Sequence, residues 1–239
     1  RGLDPTHTHK VTIAVTKSVD RTSFKVSTNS TGGLIVMASD QNDMETYFKL
    51  ILIGDTEVGK SSIVLMYVEK EFDDTQACTL GVEFNVKSII MKGKKVELRI
   101  WDTAGQEAYL SMTRTYYRNT SGCMIVYDIT RKESFLNVSR WLEEVRQHSA
   151  NQNLVVMLIG NKADKNSRRQ VSTEEGKAFA DENGMLFGEL SATKEGDIAQ
   201  AFKELVGNVY EKYENDPQLF LRDSLRIKTP NKPENSAVD

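Results

Sequence analysis

The eight residues Gly54-Asp55-Thr56-Glu57-Val58-Gly59-Lys60-Ser61 constrain this chain more than any other stretch. They follow Tyr47-Phe48-Lys49-Leu50-Ile51-Leu52-Ile53, a short apolar run rich in β-branched residues that reads as a buried strand. They precede Ser61 to Glu71, where Ile63, Val64 and Tyr67 recur at helical spacing. A strand, a glycine-bounded loop and a helix in that order can turn successive backbone N–H groups inward on a phosphate, with the helix N-terminus adding partial positive charge. Lys60 is then placed to reach the β- and γ-phosphates, and the Ser61 hydroxyl to ligate Mg²⁺.

The rest of the chain continues the alternation. Val82 to Met91 and Lys94 to Trp101 read as strands joined at Lys92-Gly93-Lys94, where Gly93 supports a tight hairpin turn. Further strands are expected at Cys123 to Tyr127, Leu154 to Ile159 and Met185 to Leu190. Helices are expected at Glu133 to His148, Glu174 to Glu182 and Asp197 to Tyr213. This pattern predicts an α/β fold, a six-stranded and mostly parallel sheet with helices on both faces and its ligand at the carboxyl ends of the strands.

Composition narrows the function classes. The 31 Lys and Arg against 34 Asp and Glu give a formal charge of −3, without the basic excess expected of a nucleic-acid binder. Apolar runs such as Leu154 to Ile159 fall far short of the about 20 residues of a membrane-spanning helix. Two cysteines, Cys78 and Cys123, support neither a disulfide framework nor a zinc cluster, so a reducing, cytoplasmic setting is expected.

Two loops choose the ligand. Asn161-Lys162-Ala163-Asp164 follows a strand, and the Asp164 carboxylate can accept from N1–H and the 2-amino group of guanine together. Adenine offers no such donor pair and would leave a carboxylate unsatisfied. Asp102-Thr103-Ala104-Gly105-Gln106 closes another strand. Asp102 is placed to hold Mg²⁺ through a water, Gly105 to bring its N–H to a γ-phosphate, and Gln106 to orient water for in-line attack.

Together these residues resemble the Ras superfamily of small GTPases, and within it the Rab family. The resemblance spans Thr46 to Tyr213 and includes Thr79-Leu80-Gly81-Val82-Glu83-Phe84, Trp101 to Glu107, and Ser191-Ala192. Rab-like stretches are Tyr116-Tyr117-Arg118, Val126-Tyr127-Asp128-Ile129-Thr130 and Glu133-Ser134-Phe135.

The resemblance implies a GTP-hydrolysing switch that recruits effectors in vesicle traffic. Its nucleotide contacts would come from Asp55, Thr56, Glu57, Val58, Gly59, Lys60, Ser61 and Ser62, and from Phe72 packing on the guanine. Thr79, Gly105, Asn161, Lys162, Asp164, Ser191, Ala192 and Thr193 complete the set, with Ala192 N–H facing guanine O6. Gln106, Lys60, Thr79 and Gly105 would carry hydrolysis; Ser61, Thr79 and Asp102 would hold Mg²⁺. Phe84, Trp101 and Tyr116 would form an effector-facing aromatic triad, or serve as core packing. Expected partners are GTP and GDP, an exchange factor, a GTPase-activating protein and effectors, at the cytosolic face of endomembranes if something supplies attachment.

Three features depart from the family pattern. Thr56 and Glu57 stand where small residues are common, so intrinsic hydrolysis is expected to be slow, and Glu57 is expected to face solvent. Ala108-Tyr109-Leu110 lacks the basic residues that usually flank the aromatic one after Gln106-Glu107. The sequence ends Asn235-Ser236-Ala237-Val238-Asp239, without a prenylation cysteine. No Arg lies between Phe72 and Thr79, so no internal arginine finger is expected there.

Residues 1–45, which begin at Arg1 and contain Met37 and Met44, are expected to be a disordered or non-native extension, residues 46–213 the domain, and residues 214–239 a flexible tail. A GTP-binding adaptor with little hydrolysis is the main alternative; a P-loop kinase or ATPase would leave Asp164 unexplained.

Overall fold

The computed structural model describes residues 24–28, 34–38, 46–72, 79, 81–105, 116–149, 151 and 153–215, the first two segments as backbone only. The expected roles of Cys78, Leu80 and Gln106 to Leu110, and the expected tail beyond Asn215, lie outside these residues. The chain divides into two units, Arg1–Glu45 and Thr46–Asp239. In the first, β1 (Phe24–Thr28) and β2 (Leu34–Ala38) pair antiparallel, Phe24 opposite Ala38.

The second unit holds the six-stranded sheet. Its strands are β3 (Thr46–Ile53), β4 (Val82–Met91), β5 (Lys94–Thr103), β6 (Gly122–Asp128), β7 (Val155–Asn161) and β8 (Leu186–Glu189), in the order β4-β5-β3-β6-β7-β8. Only β4 runs antiparallel, joined to β5 through Lys92 and Gly93, whose φ values of 47° and 79° suit a twisted two-residue hairpin turn. The chain order reverses at β3, with β5 on one side and β6 on the other. A crevice at the carboxyl end of such a switch-point strand is where an open α/β sheet binds its ligand.

β3 carries side chains to both faces with period two. Phe48, Leu50 and Leu52 enter one apolar layer with Ile63 and Val64 of α1 (Lys60–Glu69) and Phe202, Leu205 and Val209 of α5 (Glu195–Asn215). Ile51 and Ile53 enter the opposite layer with Phe135 of α2 (Lys132–Leu136), Trp141, Leu142 and Val145 of α3 (Val138–His148), and Ala180 of α4 (Thr173–Glu182). Tyr67 stacks on Phe202 with ring centroids 3.7 Å apart, fastening α1 to α5. Truncating a buried ring such as Phe202 to alanine costs about 3–5 kcal/mol in transfer and cavity terms.

The structure moves several expected boundaries. Helix α1 stops at Glu69 because Lys70 turns left-handed, φ 63°, although its N–H still donates to the Met66 carbonyl. The helix expected from Glu133 to His148 divides at Asn137. Strand β8 is shorter than expected, because Met185 N–H turns to the Ala180 carbonyl at the end of the preceding helix, and it pairs only with β7. Helix α5 runs to Asn215, two residues past Tyr213.

Candidate functional site

The loop between β3 and α1 lies at the switch point. Gly59 caps α1 with φ 93°, and no side chain caps the helix, so its first N–H groups face the loop interior with their partial positive charge. Lys60 is buried, and its Nζ donates to the carbonyls of Gly54 at 2.9 Å and Asp55 at 2.8 Å. The ammonium is thus held under the loop rather than in bulk solvent. Val58 is fully buried, Ser61 and Ser62 half-buried, and Glu57 faces solvent as expected.

Beside the loop stands a group that calls for a cation. Asp102 at the end of β5 is 1% exposed, and neither carboxylate oxygen meets a donor in hydrogen-bonding geometry. Burial pushes its carboxyl up to about 6, while the nearby Ser61 hydroxyl, Lys60 and the Thr79 hydroxyl favour the charged form without offsetting that penalty. The oxygens of Ser61 and Thr79 approach to 2.6 Å. Two hydroxyls and an orphaned carboxylate are hard oxygen donors of the kind Mg²⁺ takes. Among the described residues no group of three or more His, Cys, Asp or Glu side chains could hold a metal, so the cation would depend on hydroxyls and on the ligand's own oxygens.

Gly105 packs directly under the loop. A Cβ there would lie 2.3 Å from the Asp55 carbonyl carbon and the Thr56 nitrogen, so only glycine lets β5 and the loop meet. The neighbouring Gln106 lies outside the described residues.

The loop after β7 reaches the same place from the other side of β6. Asn161 is 1% exposed; its Nδ2 donates to the Val58 carbonyl at 2.8 Å, and its Oδ1 accepts from Ala192 N–H at 3.1 Å. Lys162, left-handed at φ 67°, donates from Nζ to the Glu57 carbonyl and to Asp128 Oδ2, each at 2.8 Å. Burial alone would raise the Asp128 carboxyl, but Lys162 and Thr130 more than offset it and hold it below its usual value. Ser191 Oγ donates to Asp164 Oδ1 at 2.6 Å. Its one hydrogen being spent there, the Thr193 hydroxyl, 2.7 Å away, donates to Ser191. Asp164 is therefore aimed by a short hydroxyl relay and keeps further lone pairs for a ligand.

Phe72 is 45% exposed, and Thr79 is half-buried. On the sheet edge Phe84 stands opposite Trp101 with ring centroids 4.6 Å apart, and Lys49 Nζ lies 4.6 Å above the Trp101 ring. Phe84 is 52% exposed, whereas Trp101 and Tyr116 lie partly buried against the layer of α2 to α4.

Three side chains that belong to none of the sequence motifs also reach the loop. Arg131 Nη2 donates to the Thr56 carbonyl at 2.6 Å, Asn137 Nδ2 to Asp55 Oδ2 at 2.8 Å, and Trp141 Nε1 to Asp55 Oδ1 at 2.8 Å. The Asp55 side chain thus turns to α3, leaving its backbone to the loop. The usable sequence signal was Trp141 itself, since a buried indole N–H needs an acceptor.

A family model described as Ras family matches residues 49–211, from the middle of β3 to near the end of α5.

Proposed function

Because the chain belongs to the Ras family and is a small GTPase, a guanine-nucleotide switch, we propose that it works as a Rab-type switch in membrane traffic, with Mg²⁺ and GTP as its active ligands. The observation that carries the guanine-nucleotide reading is Asn161. One buried amide ties the loop below the phosphates to the loop that reads the base, so the two form a single site.

Asp164, aimed by Ser191, accepts from the guanine edge, and Ala192 N–H, which in the structure donates to Asn161 Oδ1 rather than into open space, would turn from that amide to O6 when the base binds. Lys60 leaves its loop carbonyls for the β- and γ-phosphates. Ser61 and Thr79 would hold Mg²⁺ directly and Asp102 through a water; when bound, it neutralises charge developing on the phosphate oxygens. Water oriented by Gln106 attacks the γ-phosphorus, the bond to the β–γ bridging oxygen breaks, and GDP and phosphate leave. Loss of the γ-phosphate removes what Thr79 holds and ends the switch's active form.

The Rab part of the reading rests on the Rab-like stretches and on the exposed Phe84 against Trp101 at the sheet edge. Effectors would dock there, at the cytosolic face of endomembranes. Among the described residues no helix is long and apolar enough to cross a membrane, so attachment would come from a partner or a lipid.

Competition of GTP, GDP and ATP for fluorescent GDP, followed by single-turnover phosphate release, tests the first part. Binding of guanine nucleotides with measurable release supports it. Binding without release supports the adaptor reading, and preference for ATP overturns both. Capture of GTP-loaded chain by known Rab effectors, lost in Phe84→Ala, tests the second.

A further inference from the structure

Asp55 and Thr56 open the phosphate loop, where Lys60 of the same loop reaches the Asp55 carbonyl but not its carboxylate. Three donors from one stretch, running from the end of the β6 loop into α3, fasten them from outside. Trp141 Nε1 and Asn137 Nδ2 divide the two oxygens of Asp55 between them, each at 2.8 Å. Arg131 Nη2 takes the Thr56 carbonyl at 2.6 Å, and its Nη1 lies 3.9 Å from the Glu57 carboxylate. Trp141 is 5% exposed, with its ring fixed in the layer between the sheet and α3, so its N–H is a rigid anchor. Bonds of this kind to an ionised acceptor are the strong class.

We propose that Arg131, Asn137 and Trp141 are positioning residues for nucleotide binding, a clamp that keeps the backbone of Asp55 and Thr56 aimed at the phosphates and links the placement of α3 to how long nucleotide stays bound. The proposal rests on the nucleotide-site reading above. None of the three touches a phosphate. They act by fixing the carboxylate and carbonyl that point away from it, so that the N–H groups on the other side of the same peptides stay in register. Gly105, packed under the same two residues, closes the loop from below, so the clamp and β5 hold it between them.

The test is fluorescent-GDP dissociation from the full chain with Trp141→Phe, which keeps an aromatic ring in the layer and deletes the donor, with Asn137→Ala, Asp55→Ala and Asp55→Asn, and with the double variant Asp55→Ala/Trp141→Phe. The expected result is about tenfold or more faster release for Trp141→Phe, the change that follows loss of one hydrogen bond to a charged group, and at least as much for Asp55→Ala, which loses two. Asp55→Asn, which retains an acceptor oxygen for Trp141, recovers part of the loss. The double variant releases no faster than Asp55→Ala alone, because that substitution already removes the bond that Trp141→Phe deletes.

A second measurement does not depend on variant stability. The chain has two tryptophans, so the indole N–H spectrum of the nucleotide-bound chain shows Trp101 and Trp141. Asn137→Ala or Asp55→Asn should move the Trp141 resonance and leave Trp101 in place. Unchanged dissociation in Trp141→Phe, strictly multiplicative effects in the double variant, or an unmoved Trp141 resonance each overturns the clamp. Failure of the parent chain to bind any guanine nucleotide would instead overturn the nucleotide reading, and the clamp with it.

Discussion

The hydroxyl oxygens of Ser61 and Thr79 lie 2.6 Å apart, although 18 residues separate them, and they meet beside the unpartnered carboxylate of Asp102. The first residue of the pair sits in the first turn of α1, the second just before β4. Replacing Asp102 with Asn keeps its shape and removes its charge. The expected outcome is a 10–100-fold loss of Mg²⁺ affinity in the nucleotide complex, the range seen when an outer carboxylate at a metal site is changed. A Mg²⁺ titration of bound fluorescent GDP reads this directly, and an unchanged midpoint would remove Asp102 from the site.

Gly105→Ala places a methyl group 2.3 Å from two backbone atoms of Asp55 and Thr56, which have no flexible end to give way. Either β5 or the phosphate loop must shift. Nucleotide affinity should drop at least tenfold while secondary structure is retained. Equilibrium binding beside far-ultraviolet circular dichroism separates this from unfolding.

Asn161→Ala removes two bonds at once and leaves the Val58 carbonyl and the Ala192 N–H without their partner. With each buried unsatisfied group costing about 1–3 kcal/mol, a loss of roughly 2–6 kcal/mol is expected, shared between folding and binding. Urea denaturation with and without saturating GDP would show it as a lower midpoint in both. A loss seen only with GDP would mean the amide serves the ligand and not the joint between loops.

Burial pushes the Lys49 ammonium down to about 8 from 10.5. At this site the unfolded chain then binds more protons than the folded one between those values, so the contribution of Lys49 to stability rises as pH is raised from about 8 to 10.5. The share of the slope that belongs to Lys49, packed over Trp101 and donating to the Arg118 carbonyl, adds to that of Lys87, lowered in the same way, and is opposed by the Cys123 thiol and the Tyr67 hydroxyl, which burial pushes up. In Lys49→Met that share should vanish from a series of denaturant midpoints. A slope that survives the substitution must come from elsewhere.

Thr56 carries a side chain at the mouth of the loop, and its carbonyl is already taken by Arg131. Thr56→Gly removes the bulk and leaves that bond available. Single-turnover hydrolysis should speed up, and a rate that stays the same or falls would show that Thr56 is not what slows the reaction.

The two sides of the site were not equally readable from the sequence. Lys60, Asn161 and Asp164 announce themselves because phosphate and base contacts are made by short loops whose residue types are dictated locally. The alternation of Phe48, Leu50 and Leu52 with Ile51 and Ile53 likewise gives β3 its two faces without reference to anything distant. For Trp141 the sequence offers only a place in the helix expected from Glu133 to His148. The Trp141 ring obeys that reading, but its N–H answers to a carboxylate 86 residues earlier. Arg131 and Asn137 reach 75 and 82 residues back in the same way. Such pairings follow from β6 lying next to β3, a fact of strand order that no local periodicity encodes. The division of the helix at Asn137 falls at one of these tethered residues, and the early end of α1 is set by a left-handed Lys70, a conformation that composition does not foretell.

The position of β3 also sets the order in which the domain comes apart. A strand laddered on both sides exchanges its amide hydrogens only when its neighbours leave, whereas the edge strands β4 and β8 are each laddered on one side. The last residues of β3 lead straight into Gly54, so the root of the phosphate loop belongs to the slowest-exchanging part of the sheet. Guanine nucleotide can therefore be lost by rearrangements at the rim, around Thr79 and the loop after β7, without the hydrogen bonds at the centre opening at all.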